Sequence, residues 1–78
     1  MAQERQSPTQ LDLRGVKCPV NWARAKIELE GMPIRGRLEV CVNDPRAVDD
    51  LPRAAEANGH VLVAVTARAQ DWIIELER

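Results

Sequence analysis

The sequence predicts an α/β two-layer sandwich, β-α-β-α-β-β, with a mixed four-stranded sheet and both helices on one face. Three observations predict it. Four short segments alternate apolar and polar residues with the period of a strand. Two segments between them carry apolar residues at helical spacing. The chain's 78 residues are enough for one domain and too few for two. Residues 1–9 read as a disordered tail, polar and broken at Ser7-Pro8, and residues 10–78 as the domain.

The first strand is "QLDLR", with Leu11 and Leu13 on one side and Asp12 and Arg14 on the other. Gly15 ends it. The first helix runs from Pro19 to about Glu30, with Pro19 in the first turn, where its missing N–H costs nothing, and Gly31 as the stop. The second strand, "RLEVCVN", places Leu38, Val40 and Val42 together and Glu39, Cys41 and Asn43 opposite. Asp44-Pro45 breaks it. In "AVDDLPRAAEAN" Pro52 is read as a first-turn residue, because proline breaks a helix interior, so the second helix is expected to begin near Asp50, capped by Asp49 or Asp50. Gly59 ends it. The third strand, "HVLVAVTA", is expected to turn Val61, Val63 and Val65 to the helices, leaving Leu62 outside. A turn at "RAQD" leads to the last strand, "WIIELE", with Trp72, Ile74 and Leu76 alternating.

Composition excludes several functions. Eleven basic and twelve acidic residues leave a net charge of −1, with no basic tract, so the footprint for nucleic-acid phosphates is missing. Two Trp and no Phe or Tyr offer little for base stacking. No run approaches the roughly 20 apolar residues of a membrane span, and the polar N-terminus lacks the apolar core of a signal peptide. The expected location is cytoplasmic, without membrane or direct nucleic-acid contact. Cys18 and Cys41 form no CxxC pair and, even with His60, no four-ligand zinc set. No metal site or cofactor is expected, and free thiols are.

The candidate chemistry sits at "GVKCPVNWA". A strand, helix and strand joined in this order form a parallel crossover unit, so the loops after the first two strands meet at one sheet edge. Cys18 is therefore expected beside Asn43, Asp44, Pro45 and Arg46. At the head of the first helix a thiolate is stabilised by free N–H groups and the helix dipole, with Lys17 and Arg46 as further positive charge and Asp44 opposing. A small buried cysteine at a strand–helix junction is the alternative. Cys41, mid-strand among valines, reads as apolar, and His60 as structural or solvated. The first helix carries two apolar stripes, Trp22-Ala25-Leu29 and Val20-Ala23-Ile27. The second stripe is expected to pack on the second helix, with a partner-docking surface as the other reading.

These residues resemble the TusA/SirA-like sulfur carriers. That family opens its domain with L-D-x-R-G, two residues, then Cys-Pro-x-Pro. Here "LDLRGVKCPVN" supplies Leu11, Asp12, Arg14, Gly15, Cys18 and Pro19 in the same register, and "NDP", "LP" and "ANGH" follow the family pattern. The resemblance runs from about residue 10 to 77. It implies a sulfur relay that carries sulfane sulfur as a persulfide on Cys18. Implied donors are cysteine desulfurases, rhodanese-like or DsrE-like proteins; implied acceptors feed tRNA thiolation, molybdenum-cofactor assembly or sulfur oxidation. Asn21 replaces the family's second proline, a change expected to alter partner choice more than chemistry. A non-catalytic protein-binding module of the same fold, or a redox regulator pairing Cys18 with Cys41, are the other functions considered.

Overall fold

The computed structural model describes residues 8–17 and 19–78. The elements follow the expected order: β1 Thr9–Asp12, α1 Val20–Glu30, β2 Arg37–Val42, α2 Pro45–Ala57, β3 Val61–Ala67 and β4 Trp72–Glu77. β1 opens at Thr9, inside the stretch read as tail, and residues 1–7 lie outside the described residues. The sheet order is β1-β2-β4-β3. β1 and β2 are parallel, with Leu11 opposite Val40 and Asp12 opposite Cys41. β4 is antiparallel to both β2 and β3.

The core forms where alternation and helical spacing meet. Leu38, Val40 and Val42 from β2, and Ile74 and Leu76 from β4, are buried against Ala25 and Leu29 of α1 and Ala47, Leu51 and Ala55 of α2. Leu13 joins them just past β1. All of these are essentially inaccessible, and burying each larger side chain is worth about 1.5–3 kcal/mol. Among the described residues, no helix covers the opposite face of the sheet.

α2 starts five residues before the expected point. Asp44 is its N-cap, accepting from the Arg46 N–H at 3.0 Å, and Pro45 takes the first helical position. Aspartate followed by proline is a strong helix start, and it overrides the warning that Pro52 carries. Pro52 sits inside the helix and is buried. Its missing donor and ring crowding cost about 3 kcal/mol, offset by burial of the stripe Ala47-Leu51-Ala55 at four-residue spacing. The other end closes as expected: His60 N–H donates to the Ala55 carbonyl (3.0 Å) and Gly59 N–H to that of Glu56 (3.1 Å). This Schellman arrangement needs a left-handed residue, and Gly59 supplies it at φ +85°.

Two faces differ from expectation. β3 has a register shift between Leu62 and Ala64, a bulge that gives it one extra residue. Leu62 therefore lies opposite Leu76 and packs on the core, while Val61 lies opposite Glu77 on the outer face. Past the shift Val65 lies opposite Ile74, on the helix face as expected; Val61, Val63 and Val65 keep 52%, 37% and 40% of their surface. On α1, the stripe Val20-Ala23-Ile27 does not pack on α2. Val20 and Ile27 are 55% and 74% exposed. The buried side of α1 is Asn21-Ala25-Leu29, with Trp22 half-buried beside it.

Candidate functional site

The parallel β1–β2 pair brings its two following loops to the same edge. Leu13 N–H donates to the Cys41 carbonyl at 2.8 Å, carrying the ladder one residue past β1. The chain then turns, with Val16 N–H on the Leu13 carbonyl (3.1 Å) and Gly15 at φ +82°. No atom would obstruct a Cβ at Gly15, so the glycine answers to backbone conformation and not to space. The Asp12-x-Arg14 part of the motif fixes the entry to this turn. Asp12 Oδ1 accepts from both the N–H and Nε of Arg14 at 3.0 Å, and Oδ2 from Nη2 at 2.8 Å. This is an Asx-type turn reinforced by an ion pair. The side-chain and backbone hydrogen bonds from Arg14 hold the Asp12 carboxyl down at about 2.

A cleft of about 450 Å³ lies between the loops, lined by Gly15, Val16 and Lys17 on one side and by Asn43, Asp44, Pro45 and Arg46 on the other. Asn43 links the two: its Oδ1 accepts from Gly15 N–H at 2.9 Å. The N-termini of α1 and α2 both end here, because each helix follows one of the parallel strands. The two helix dipoles, with the exposed side chains of Lys17 and Arg46, favour an anion, although the Arg46 and Ala47 N–H groups are already taken up by Asp44. Asp44 opposes this less than its charge suggests, since its carboxylate is turned onto the first turn of α2.

Of the residues singled out in the sequence, Lys17, Asp44 and Arg46 meet in this cleft. Pro19 is the N-cap of α1, one position before the first turn where it was expected, and makes no side-chain cap. Asn21 N–H closes a turn on the Lys17 carbonyl at 3.1 Å. Cys18 lies outside the described residues. Asn21 is 1% exposed, so it would bear on partner choice through the start of α1 and not by direct contact. Its Oδ1 accepts from Trp22 N–H at 2.6 Å, while its Nδ2 is buried without a partner among the described residues. The Gly15–Asn43 bridge escaped the sequence reading; the "NDP" triplet was its only signal. His60 is structural: its side chain is 8% exposed, 6.4 Å from the Trp22 ring between centroids and 3.7 Å from Glu30.

Cys41 departs from its expected apolar role. It lies on the uncovered face of the sheet, with Sγ 3.4 Å from Asp71 Oδ2 and 3.4 Å from Arg68 Nη2. Among the described residues, no helix is long and apolar enough to cross a membrane.

Comparison with known proteins places this architecture. The family model described as "Sulfurtransferase TusA" matches residues 9–78, nearly the whole chain. The chain belongs to the TusA family. An Archaeoglobus fulgidus protein named as a candidate sulfur carrier is 33% identical over 69 residues, covering 87% of this chain and 78% of that protein. The crystal structure of a SirA-like protein from Desulfitobacterium hafniense superposes with a TM-score of 0.77 at 21% identity, over 88% of this chain and 95% of the other. A Helicobacter pylori protein solved in solution gives 0.67 at 16% identity, over 90% and 96%. At these identities the two structures show the shared fold. Within the TusA family, "LDLRG" reads as the device that locks the turn ahead of residues 16–19.

Proposed function

We propose that this TusA-family chain is a sulfur-relay protein that carries sulfane sulfur as a persulfide on Cys18. The observation that carries the reading is the cleft where Lys17, on the loop ahead of α1, meets Arg46 at the start of α2, in a chain whose family model is that of a sulfurtransferase. In the first step the Cys18 thiolate attacks the outer sulfur of a donor persulfide. The donor's S–S bond breaks, its thiolate leaves, and Cys18–S–SH forms with no net change in oxidation state. In the second step an acceptor nucleophile attacks that outer sulfur and the Cys18 thiolate departs. Lys17, Arg46 and the helix N-termini stabilise negative charge on either species. Pro19 starts the helix, and Asp44 holds the first turn of α2 in place.

Donors of the cysteine desulfurase, rhodanese-like or DsrE-like classes fit this role. So do acceptors serving tRNA thiolation, molybdenum-cofactor assembly or sulfur oxidation, with a cytoplasmic location. The exposed stripe Val20-Ala23-Ile27 beside the cleft supports a second reading, a protein-binding module that does not use the thiol.

The test is the intact mass after incubation with a cysteine desulfurase and cysteine, or with polysulfide. One added sulfur in the wild type, absent in Cys18→Ser, is the expected result. A wild type that never gains sulfur overturns the relay, and partner binding unchanged by Cys18→Ala then selects the binding module.

A further inference from the structure

The uncovered face of the sheet holds a cluster that the relay does not use. Asp71 stands at its centre, 8% exposed. Arg68 grips it with two contacts, Nε to Oδ1 at 2.6 Å and Nη2 to Oδ2 at 3.0 Å. Arg14, already paired with Asp12, approaches Oδ2 at 3.8 Å. Cys41 completes the cluster, its Sγ 3.4 Å from both Asp71 Oδ2 and Arg68 Nη2. A cavity of about 210 Å³ opens onto the thiol, walled by Leu11, Ile73 and Glu39 among others. That space admits a small sulfur species, so bulk alone does not shield Cys41.

The charges decide the state of this thiol. An ionised carboxylate only accepts hydrogen bonds, so the contact with Asp71 requires the thiol to keep its proton. The facing groups are Asp12 at the end of β1 and Arg14 just past it, Glu39 on the same strand as Cys41, and Arg68 and Asp71 at the β3–β4 turn. The two arginines are already matched by Asp12 and Asp71, and Glu39 adds a further negative charge. A thiolate at Sγ would meet the Asp71 carboxylate at contact distance. Burial first, then the hydrogen bond to Asp71, push the Cys41 thiol up from its ordinary value, against a smaller pull from Arg14 and Arg68. The cleft lined by Lys17 and Arg46 differs in charge, its Asp44 carboxylate being turned onto the first turn of α2.

We propose that the Asp71–Arg68 pair locks Cys41 as a protonated, non-nucleophilic thiol, so that sulfur loads on one of the chain's two cysteines only. The lock concerns Cys41 alone; the loading clause rests on the relay reading. Asp71 supplies the restraint; Arg68 is paired with it, and its own contact with Sγ pulls the thiol the other way.

The experiment follows alkylation of Cys41 by iodoacetamide, read by mass, in a Cys18→Ser parent. In the parent the pH midpoint should lie above the ordinary cysteine value of about 8.5; a midpoint at or below it overturns the lock without any further variant. Asp71→Asn leaves two guanidinium groups beside the sulfur, and alkylation at pH 7.5 should rise about tenfold, the factor that one pKa unit gives. Arg68→Met should not accelerate it. An unchanged rate in Asp71→Asn overturns the proposal, and so does equal acceleration in Arg68→Met, which would mean local opening and not charge. With Cys18 restored, polysulfide should add one sulfur to the wild type and a second, on Cys41, to Asp71→Asn. If Cys18 never loads while the alkylation contrast holds, the lock stands and the relay falls.

Discussion

Replacing Asp44 separates its two roles, the cap of α2 and a negative charge at the edge of the cleft. In Asp44→Ala the Arg46 N–H loses the carboxylate oxygen it reaches at 3.0 Å. Loss of an N-cap costs about 1 kcal/mol, and loss of a negative charge at a helix N-terminus about 0.5 kcal/mol. The expected loss is about 1.5 kcal/mol. For a chain of 78 residues, with an unfolding entropy of about 2.1 cal/mol/K per residue, that lowers the Tm by about 9 °C. Asparagine caps as well as aspartate, so Asp44→Asn should lose only the dipole contribution, about 3 °C. That remainder should vanish in about 1 M salt, where screening acts within about 3 Å. Thermal unfolding followed by circular dichroism at low and high salt measures both. Equal losses in the two variants, or a loss in Asp44→Asn that ignores salt, would refute the capping argument. Because Asp44→Asn also removes the one negative charge among the described residues lining the cleft, under the proposed relay it should speed sulfur uptake at Cys18 at neutral pH.

Other consequences can be measured as directly. Asp12 should titrate near 2 by carboxyl-carbon NMR. Its pKa is lowered in the folded state, so its contribution to stability is complete above the unfolded value and is lost as pH falls from about 4 through about 2; Arg14→Gln should return the midpoint to the ordinary range. Leu51, 1% exposed in the core, should cost about 3 kcal/mol when cut to alanine, read by guanidinium unfolding. Gly59→Ala meets no steric obstacle but keeps φ +85°, so chemical denaturation should show a loss of about 1 kcal/mol, the cost of a left-handed alanine.

Much of the fold was legible because it rests on local periodicity. β2 and β4 alternate without interruption, and their buried faces are those the sequence predicts. The meeting of the "GVKCP" and "NDPR" loops followed from topology alone, since a helical crossover makes β1 and β2 parallel. Failures came where a local rule met a stronger neighbour. Pro52 argued for a late start to α2, and the Asp44-Pro45 cap won. Val61 and Val63 alternate with Val65 in the sequence, but the bulge at residue 63 puts the two sides of β3 out of phase. The stripe Val20-Ala23-Ile27 has helical spacing, yet α2 packs on the other side of α1.

The order of elements, the parallel opening unit and the placing of "LDLRG" ahead of Cys18-Pro19 are determined by the sequence itself. The first and last depend on residues a few positions apart, where periodicity and turn chemistry act directly, and the parallel unit follows from the handedness of a helical crossover. Tertiary structure alone decided that Asn21 is buried and that Cys41 sits between Asp71 and Arg68. Asp71 is 30 positions from Cys41 in the chain and Arg68 is 27; the pairing of β2 with β4 brings them together. A strand's alternation tells which side chains share a face, but not which charges another strand will bring to it. The chemical state of Cys41 depends on those charges.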